Sequence, residues 1–197
     1  MTENSETQSW GALSQLPGNP LMWVLIISEL AVFWVFFLVF AGVRALNPVL
    51  FHAGQAALDV RMGGLNTIIL VVSGWCAAKA VQARTCPVVG KLDLAVQRRR
   101  CRQWLSGSAL LGMGFLIVKS IEWSHEVAAG HDLESDAFFT LFYLMTGFHA
   151  AHVVMGLIVF ALIAKFDSPD NIETGAAFWH MVDLVWLFLF PILYLTR

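Results

Sequence analysis

Charged residues are scarce in this chain. Asp, Glu, Lys and Arg make up 13% of its 197 residues, whereas a soluble domain carries roughly 25%. That is too little charge to cover a water-exposed surface, which excludes an ordinary soluble domain. The 12 Lys and Arg are balanced by 14 Asp and Glu. This balance also excludes a strongly basic nucleic-acid binder, because phosphate contacts need an excess of cations.

Cysteines and basic N-terminal residues are few as well. The three cysteines (Cys76, Cys86 and Cys101) form no C-x-x-C pair, and their odd number and spacing favour reduced thiols without a structural role. The first nineteen residues contain Glu3 and Glu6 but no Lys or Arg. A signal peptide needs a positive segment before its apolar run, so the first hydrophobic segment is expected to stay in the mature chain.

Hydrophobic residues, in contrast, make up 58% of the chain and form long runs. A helix needs about 20 apolar residues to cross the ~30 Å hydrocarbon layer. The five runs that reach this length cover 20–43, 63–83, 103–123, 137–164 and 176–195. The runs are continuous rather than alternating, which predicts an all-α membrane protein: a five-helix transmembrane bundle at 20–197, preceded by a separate segment, 1–19.

The segments that connect these runs differ sharply in charge. Basic residues cluster between the second and third runs, at Arg84, Lys91, Arg98, Arg99, Arg100 and Arg102. The connection between the third and fourth runs holds Glu126, Asp132, Glu134 and Asp136, without Lys or Arg. The positive-inside rule therefore predicts a cytoplasmic N-terminus, including segment 1–19, and a C-terminus on the opposite side.

Ionisable side chains inside the predicted spans are where function is expected, because each costs ~2.5–3.5 kcal/mol on insertion scales. They are Glu29, Lys119, Glu122, His149, His152, His180 and Asp183. Three pairs have i, i+3 spacing and share a helical face: Lys119 with Glu122, His149 with His152, and His180 with Asp183. Counted in residues from the predicted span ends, four of these groups lie in the same half of the membrane: Glu29, His152, His180 and Asp183. Their shared depth predicts one buried network between the first, fourth and fifth spans.

Three kinds of function fit such polar groups. A metal or haem site would use the histidines with Asp183 as ligands, although His149 and His152 on one helix cannot take both axial positions of a single haem. Carboxylates and histidines can also relay protons in a transporter. In the third interpretation, which is the default, the groups hydrogen-bond across helices and fix their packing, with a proton-binding role for Glu29.

Two long motifs resemble the last two helices of subunit III of haem–copper respiratory oxidases. They are TGFHAAHV at 146–153 and WHMVDLVWLF at 179–188. Shorter motifs resemble the preceding helices of that family, in the same order: SEL at 28–30, LNT at 65–67, and Lys119-x-x-Glu122-Trp123. The resemblance runs from about residue 21 to residue 195.

The resemblance implies an accessory, non-redox subunit in a bacterial inner membrane, with no catalytic centre of its own. Such a subunit packs beside the catalytic subunit, stabilises it and supports proton uptake in the electron transport chain. Haem and metal are then expected only in partner subunits, and phospholipid is the ligand expected on the helix surfaces. Glu29 matches the family's buried carboxylate, and the implied buried polar network consists of Glu122, His149, His152, His180 and Asp183.

The number of helices is the main departure from the family. Typical members have seven helices, and the first two have no counterpart here. The five-helix layout, together with LPG at 16–18, MW at 22–23 and residues 47–55, resembles the branch associated with bacterial nitric oxide reductases. A shortened subunit III of an oxygen-reducing oxidase is the alternative. A small proton-coupled transporter and a membrane metalloenzyme are the alternatives of another class.

Overall fold

The computed structural model describes residues 20–85, 91–165 and 168–196. The predicted segment 1–19 and Cys86 lie outside these residues. Regular structure in the described part of the chain is helical throughout. The elements are α1 (Pro20–Leu46), α2 (Pro48–Ala57), α3 (Val60–Thr85), α4 (Lys91–Ala128), α5 (Ala137–Lys165), α6 (Pro169–Phe190) and a π-helical turn (Pro191–Leu195) that continues α6.

Five of the described helices (α1, α3, α4, α5 and α6) are long and apolar enough to cross a membrane. This confirms the prediction of an all-helical chain with five long apolar spans. Predicted spans 20–43 and 137–164 agree with α1 and α5 to within three residues. Helix α6 begins at Pro169, before the predicted start of the last span at 176, because Ser168 caps it: the Ser168 side chain accepts a hydrogen bond from the Asn171 backbone N–H at 3.2 Å.

The bounds of α4 depart furthest from the prediction. The hydrophobic run indicated 103–123, whereas the helix covers Lys91–Ala128. The arginine cluster at 98–102 therefore lies on a helix and not in a connecting loop. Within it the arginines are exposed and Cys101 is buried. Arg, Gln and Leu are good helix formers, so the helix continues past the apolar stretch that was used to find it.

A short helix, α2, was not predicted from the hydrophobic runs because its apolar residues are too few to span a membrane. Pro48 stands at its first position, where the missing N–H leaves no hydrogen bond unmade. Phe51 and Gln55 are fully buried, and Gln55 Nε2 donates to the Ile192 carbonyl at 3.0 Å. The helix is thereby tied to the C-terminal end of α6.

Helix α6 is the centre of the bundle, since it packs against α1, α3 and α5. Its Trp179 is fully buried between two glycines of other helices. An added Cβ would lie 2.6 Å from the Trp179 ring at Gly112 of α4, and at the same distance at Gly156 of α5. Small residues at these points allow the close helix packing that membrane bundles depend on.

Helix α1 presents a broad apolar surface to the outside. Its exposed hydrophobic residues are Val24, Leu25, Ile27, Val32, Trp34, Val35, Leu38 and Val39. Trp34 alone is 64% exposed. An exposed surface of this length and composition is suited to hydrocarbon and not to water. These findings indicate a multi-pass membrane protein.

Candidate functional site

The first polar pair in the bundle joins α1 to α5. Glu29 Oε2 lies 2.9 Å from His152 Nε2, and the two side chains are 21% and 7% exposed, respectively. The His152 ring packs against Phe33 and Phe148, with ring centroids 5.4 and 4.6 Å away. The pair is therefore held between aromatic rings on one side and open on the other, at the Glu29 carboxylate.

The two contacts of the His152 ring indicate what a hydrogen bond to Glu29 requires. His152 Nδ1 lies 2.8 Å from the Phe148 carbonyl oxygen, and a carbonyl oxygen only accepts, so Nδ1 carries a hydrogen. In a neutral ring Nε2 then carries none, and a hydrogen bond to Glu29 needs one further proton, on the carboxyl group or on Nε2. A hydrogen bond between Glu29 and His152 therefore needs one proton between the two side chains.

A second polar group, the Lys119 cluster (Lys119, Glu122 and Tyr194), joins α4 to the π-helical turn after α6. Lys119 Nζ lies 3.1 Å from Glu122 Oε2 and 2.7 Å from the Tyr194 hydroxyl. Tyr194 in turn donates to the other carboxylate oxygen of Glu122. The three side chains form a closed ring of hydrogen bonds.

The Lys119 cluster is sealed from solvent. Lys119 and Glu122 are each 1% exposed and Tyr194 is fully buried. Lys119 Nζ also lies 4.6 Å from the Phe142 ring centroid and 5.4 Å from that of Trp186, where a cation is attracted to the ring face. Lys119 and Glu122 thus form a buried ion pair that shares the Tyr194 hydroxyl, and removal of one partner would leave the other charge uncompensated.

The third polar pair lies on α6 itself. His180 Nδ1 is 3.7 Å from Asp183 Oδ2, with side-chain exposures of 47% and 10%, respectively. The distance is longer than a hydrogen bond. Asp183 Oδ1 is buried without a hydrogen-bond partner among the described residues.

His149 lies between these groups and contacts none of them by a hydrogen bond. It is fully buried, and neither ring nitrogen has a partner among the described residues. Phe115 and Trp186 surround it, with ring centroids at 5.5 and 5.2 Å. His149 therefore belongs to an aromatic layer and not to a chain of hydrogen bonds.

The prediction of one buried network is therefore wrong in two respects. The expected members form three separate groups, and His149 stands apart from His152 because Phe33 packs against both rings. His180 is 47% exposed and not buried. The i, i+3 partnership of Lys119 with Glu122 is confirmed, as is the association of Glu29 with His152.

One buried polar cluster was missed by the sequence reasoning. Ser73 Oγ accepts from Trp179 Nε1 at 3.0 Å and donates to the Ser108 carbonyl at 2.9 Å. Ser108 Oγ donates back to the Ser73 carbonyl at 3.0 Å. The signal was present in the small-x-x-x-small patterns that begin at these two serines, which place small residues where α3 and α4 meet.

No group of three or more His, Cys, Asp or Glu side chains converges to hold a metal ion within the described ranges 20–85, 91–165 and 168–196. Glu122 and His125 have the Glu-x-x-His spacing that di-iron bundles use. However, His125 is exposed, and Lys119 and Tyr194 hydrogen-bond both oxygens of the Glu122 carboxylate. Hydrogen bonds between helices account for both oxygens of the Glu122 carboxylate.

Relatives of this chain carry names from the haem–copper oxidases. It is 27% identical to cytochrome c oxidase subunit 3 of Synechocystis sp. over 181 residues, which cover 87% of this chain and 72% of that protein. It is 28% identical to the probable cytochrome c oxidase subunit 3 of Nocardia farcinica, with 88% and 85% covered.

A third relative is a longer protein. The heme-copper oxidase subunit I+III of Aeropyrum pernix is 29% identical over 193 residues, which cover 89% of this chain but 22% of that protein. The chain also spans about half of the Mycobacterium leprae relative, at 52% of its length. The family profile described as cytochrome c oxidase subunit III matches residues 19–196. The chain therefore belongs to the cytochrome c oxidase subunit III family.

Proposed function

We propose that this chain is an accessory, non-redox subunit of a haem–copper respiratory complex, where it stabilises the catalytic subunit and supports proton uptake. Family membership supports the assignment to such a complex. The name of the Aeropyrum pernix relative joins subunits I and III in one protein, which supports a catalytic subunit I as the partner. Haem and metal then belong to partner subunits.

The Glu29–His152 pair is the observation that supports the proton role. Its hydrogen bond holds one proton, and the Glu29 carboxylate is 21% exposed, so a group of the partner subunit can reach it. The charged members of the Lys119 cluster are 1% exposed and offer no such access. Proton uptake through this chain therefore uses Glu29 as the entry group and His152 as its partner.

We propose that the arginine-rich start of α4 faces the cytoplasm of a bacterial cell, with the chain in the inner membrane. The excess of Lys and Arg at that end supports this orientation. Glu29 is nine residues from Pro20, or ~14 Å along the helix. In this orientation the carboxylate lies in the cytoplasmic half of the membrane.

Replacement of Glu29 by Gln in the assembled complex tests the proton role. We expect turnover and proton uptake to fall on the order of two- to tenfold, up to about 1.4 kcal/mol in the barrier. Glu126→Gln is the matched control, because Glu126 also pairs with a histidine, His131, at 3.0 Å, but near the connection between α4 and α5. Equal rates in the wild type and Glu29→Gln would refute the proton role and leave the accessory role intact.

The five-helix branch associated with nitric oxide reductases is our proposal for the partner complex. Residues 47–55, which resemble that branch, begin α2, and Gln55 ties this helix to the end of α6. The alternative is an oxygen-reducing oxidase, as the names of the relatives favour. Turnover of the purified complex with nitric oxide and with oxygen distinguishes the two.

The transporter and metalloenzyme alternatives are tested on the isolated chain. Metal analysis and an absorption spectrum of the purified chain detect haem or iron. A stoichiometric amount of either would overturn the accessory assignment. Proton-coupled flux in liposomes that contain this chain alone would favour the transporter.

A further inference from the structure

Between Ala176 and Leu189, the exposed residues of helix α6 lie along one stripe. The stripe consists of His180, Leu184, Leu187 and Phe188, which are spaced so that they share one helical face. The three hydrophobic members are 43%, 45% and 54% exposed, and the His180 side chain is 47% exposed. We call these four residues the His180 stripe.

His180 lies deep within its span. It is nine residues from Asn171 and fifteen from Leu195, the ends of the span, or ~14 and ~22 Å. Lipid tails offer no hydrogen-bond partner at that depth. His180 Nδ1 faces Asp183, whereas Nε2 has no partner among the described residues. An imidazole nitrogen in hydrocarbon without a partner is unfavourable.

Several other exposed polar groups of the spans have partners within the chain. The hydroxyls of Ser28, Ser120 and Ser124 donate to carbonyl oxygens of their own helices. Lys79 is six residues from the end of α3 and donates to Gln82. In the part of the chain that the structure describes, His180 is the one ionisable side chain that is exposed and at least nine residues from both ends of its span.

Asp183 and Gly74 fix where the imidazole points. An added Cβ at Gly74 of α3 would lie 2.1 Å from Asp183 Oδ2 and 3.5 Å from His180 Nδ1. The absence of a side chain at Gly74 thus lets the carboxylate and the ring lie directly against α3. With Nδ1 on that side, Nε2 is directed away from α3 and toward the open surface.

We propose that the His180 stripe is the surface that contacts the catalytic subunit, through a transmembrane helix that presents a hydrogen-bonding side chain to His180 Nε2. The inference rests on the proposed function. Lipid can cover the three apolar residues but cannot satisfy the imidazole, so a protein helix is required. The Aeropyrum pernix relative, named as subunit I+III, supports subunit I as the source of that helix. Helix α1 needs no protein partner by this argument. Its exposed residues over Val24–Ile27 and Val32–Val39 are all apolar, so lipid alone can cover them.

Site-specific photocrosslinking in native membranes tests the contact. A photoreactive amino acid replaces Leu184, one turn from His180, and in a matched control it replaces Leu110 of α4, which is 71% exposed. We expect a crosslink to the catalytic subunit from position 184 and none from position 110. A crosslink from 110 but not from 184, a crosslink to a second copy of this chain, or capture of lipid alone at 184 would overturn the inference.

These outcomes separate the inference from the proposed function. If the haem-containing complex co-purifies with the chain but only position 110 crosslinks, the function stands and the contact surface is wrong. If no haem-containing complex co-purifies with either variant or with the wild type, the proposed function fails as well.

Substitution of His180 measures the contribution of the hydrogen bond. His180→Leu is expected to weaken association with the catalytic subunit roughly threefold to thirtyfold, as for one hydrogen bond between membrane helices. His180→Gln, which keeps a hydrogen-bonding side chain, is expected to retain most of the association. Dissociation of the complex in detergent is measured for both, with the helical content of the free chain as a folding control. Equal dissociation of Leu and Gln variants would contradict a role for the hydrogen bond.

Discussion

The Lys119 cluster and the Glu29–His152 pair lie in the same bundle, yet they differ in closure. In the Lys119 cluster both charged side chains are 1% exposed and each is bonded to the other and to Tyr194. The Glu29–His152 pair has a single bond between its members and a carboxylate that is 21% exposed. Both groups join helices, but only the Glu29–His152 pair can be reached from outside the bundle.

The difference shows that two carboxylates inside one bundle can have very different surroundings. Glu122 is more buried than Glu29, and its surroundings hold its charge in place through an ammonium group and a hydroxyl. Loss of that charge leaves Lys119 uncompensated in a low-dielectric interior. Glu29 contacts a histidine, His152, at 2.9 Å, and not an ammonium group.

Neutralisation of each carboxylate tests whether the two groups contribute differently to stability, and we expect the largest effect here. Glu122→Gln keeps the side-chain size but leaves the Lys119 charge unpaired, and we expect a loss of about 3–5 kcal/mol in the free energy of unfolding. Glu29→Gln keeps a donor for His152 Nε2 and is expected to cost less than about 1 kcal/mol. The free energy of unfolding of both variants is measured by denaturation in mixed detergent micelles, with the helical circular dichroism signal as the readout. Similar losses for the two variants would show that the groups are equally structural.

Removal of the partner charge tests whether the unpaired Lys119 ammonium causes the loss of stability in Glu122→Gln. In the Glu122→Gln background, Lys119→Met removes the uncompensated ammonium and restores an apolar contact with Phe142 and Trp186. We expect the double variant to regain stability, with a coupling energy of about 2–3 kcal/mol between the two sites. Lys79→Met in the same background is the control, since Lys79 bonds Gln82 and not Glu122. Equal rescue by Lys79→Met would show that added hydrophobicity, and not removal of the Lys119 charge, restores stability.

The two tyrosines of the chain provide a smaller test. Tyr194→Phe removes a hydroxyl that bonds both Lys119 and Glu122, and the expected cost is about 1.5–3 kcal/mol because its partners are charged. Tyr143→Phe removes a hydroxyl that donates at 2.7 Å to the His131 carbonyl, with an expected cost of about 0.5–1.5 kcal/mol. Equal losses in the free energy of unfolding, measured by the same denaturation, would show that the charged partners of Tyr194 do not strengthen its hydrogen bonds.

Some of this organisation could be predicted from the sequence and some could not. Spacing along one helix reveals local partners, which is why Lys119 and Glu122 were paired correctly. Tyr194 was missed, because it comes from 72 residues away and follows Pro191, which lacks the N–H of a regular helical turn. Depth along the spans placed Glu29 with His152 correctly.

The same depth argument failed for His180, since depth does not tell which side of a helix faces outward. In a soluble protein, polarity distinguishes the two faces of a helix. In a membrane bundle, lipid-facing and core-facing residues are both apolar, as Leu184 and Val185 illustrate with exposures of 43% and 2%. Only the packing of α6 against its neighbours decides that His180 lies outside and Asp183 inside.

The neutral cluster of Ser73, Ser108 and Trp179 gives the baseline against which the charged groups are measured. Ser73→Ala leaves the buried Trp179 N–H without its acceptor and removes the bond to the Ser108 carbonyl, so we expect a loss of about 1–2 kcal/mol. Ser120→Ala is the control, because that exposed hydroxyl bonds only the Leu116 carbonyl of its own helix; its expected effect is within about 0.5 kcal/mol. If Ser73→Ala lowers the free energy of unfolding as much as Glu122→Gln does, then burial of the polar group, and not its charge, determines how much stability is lost.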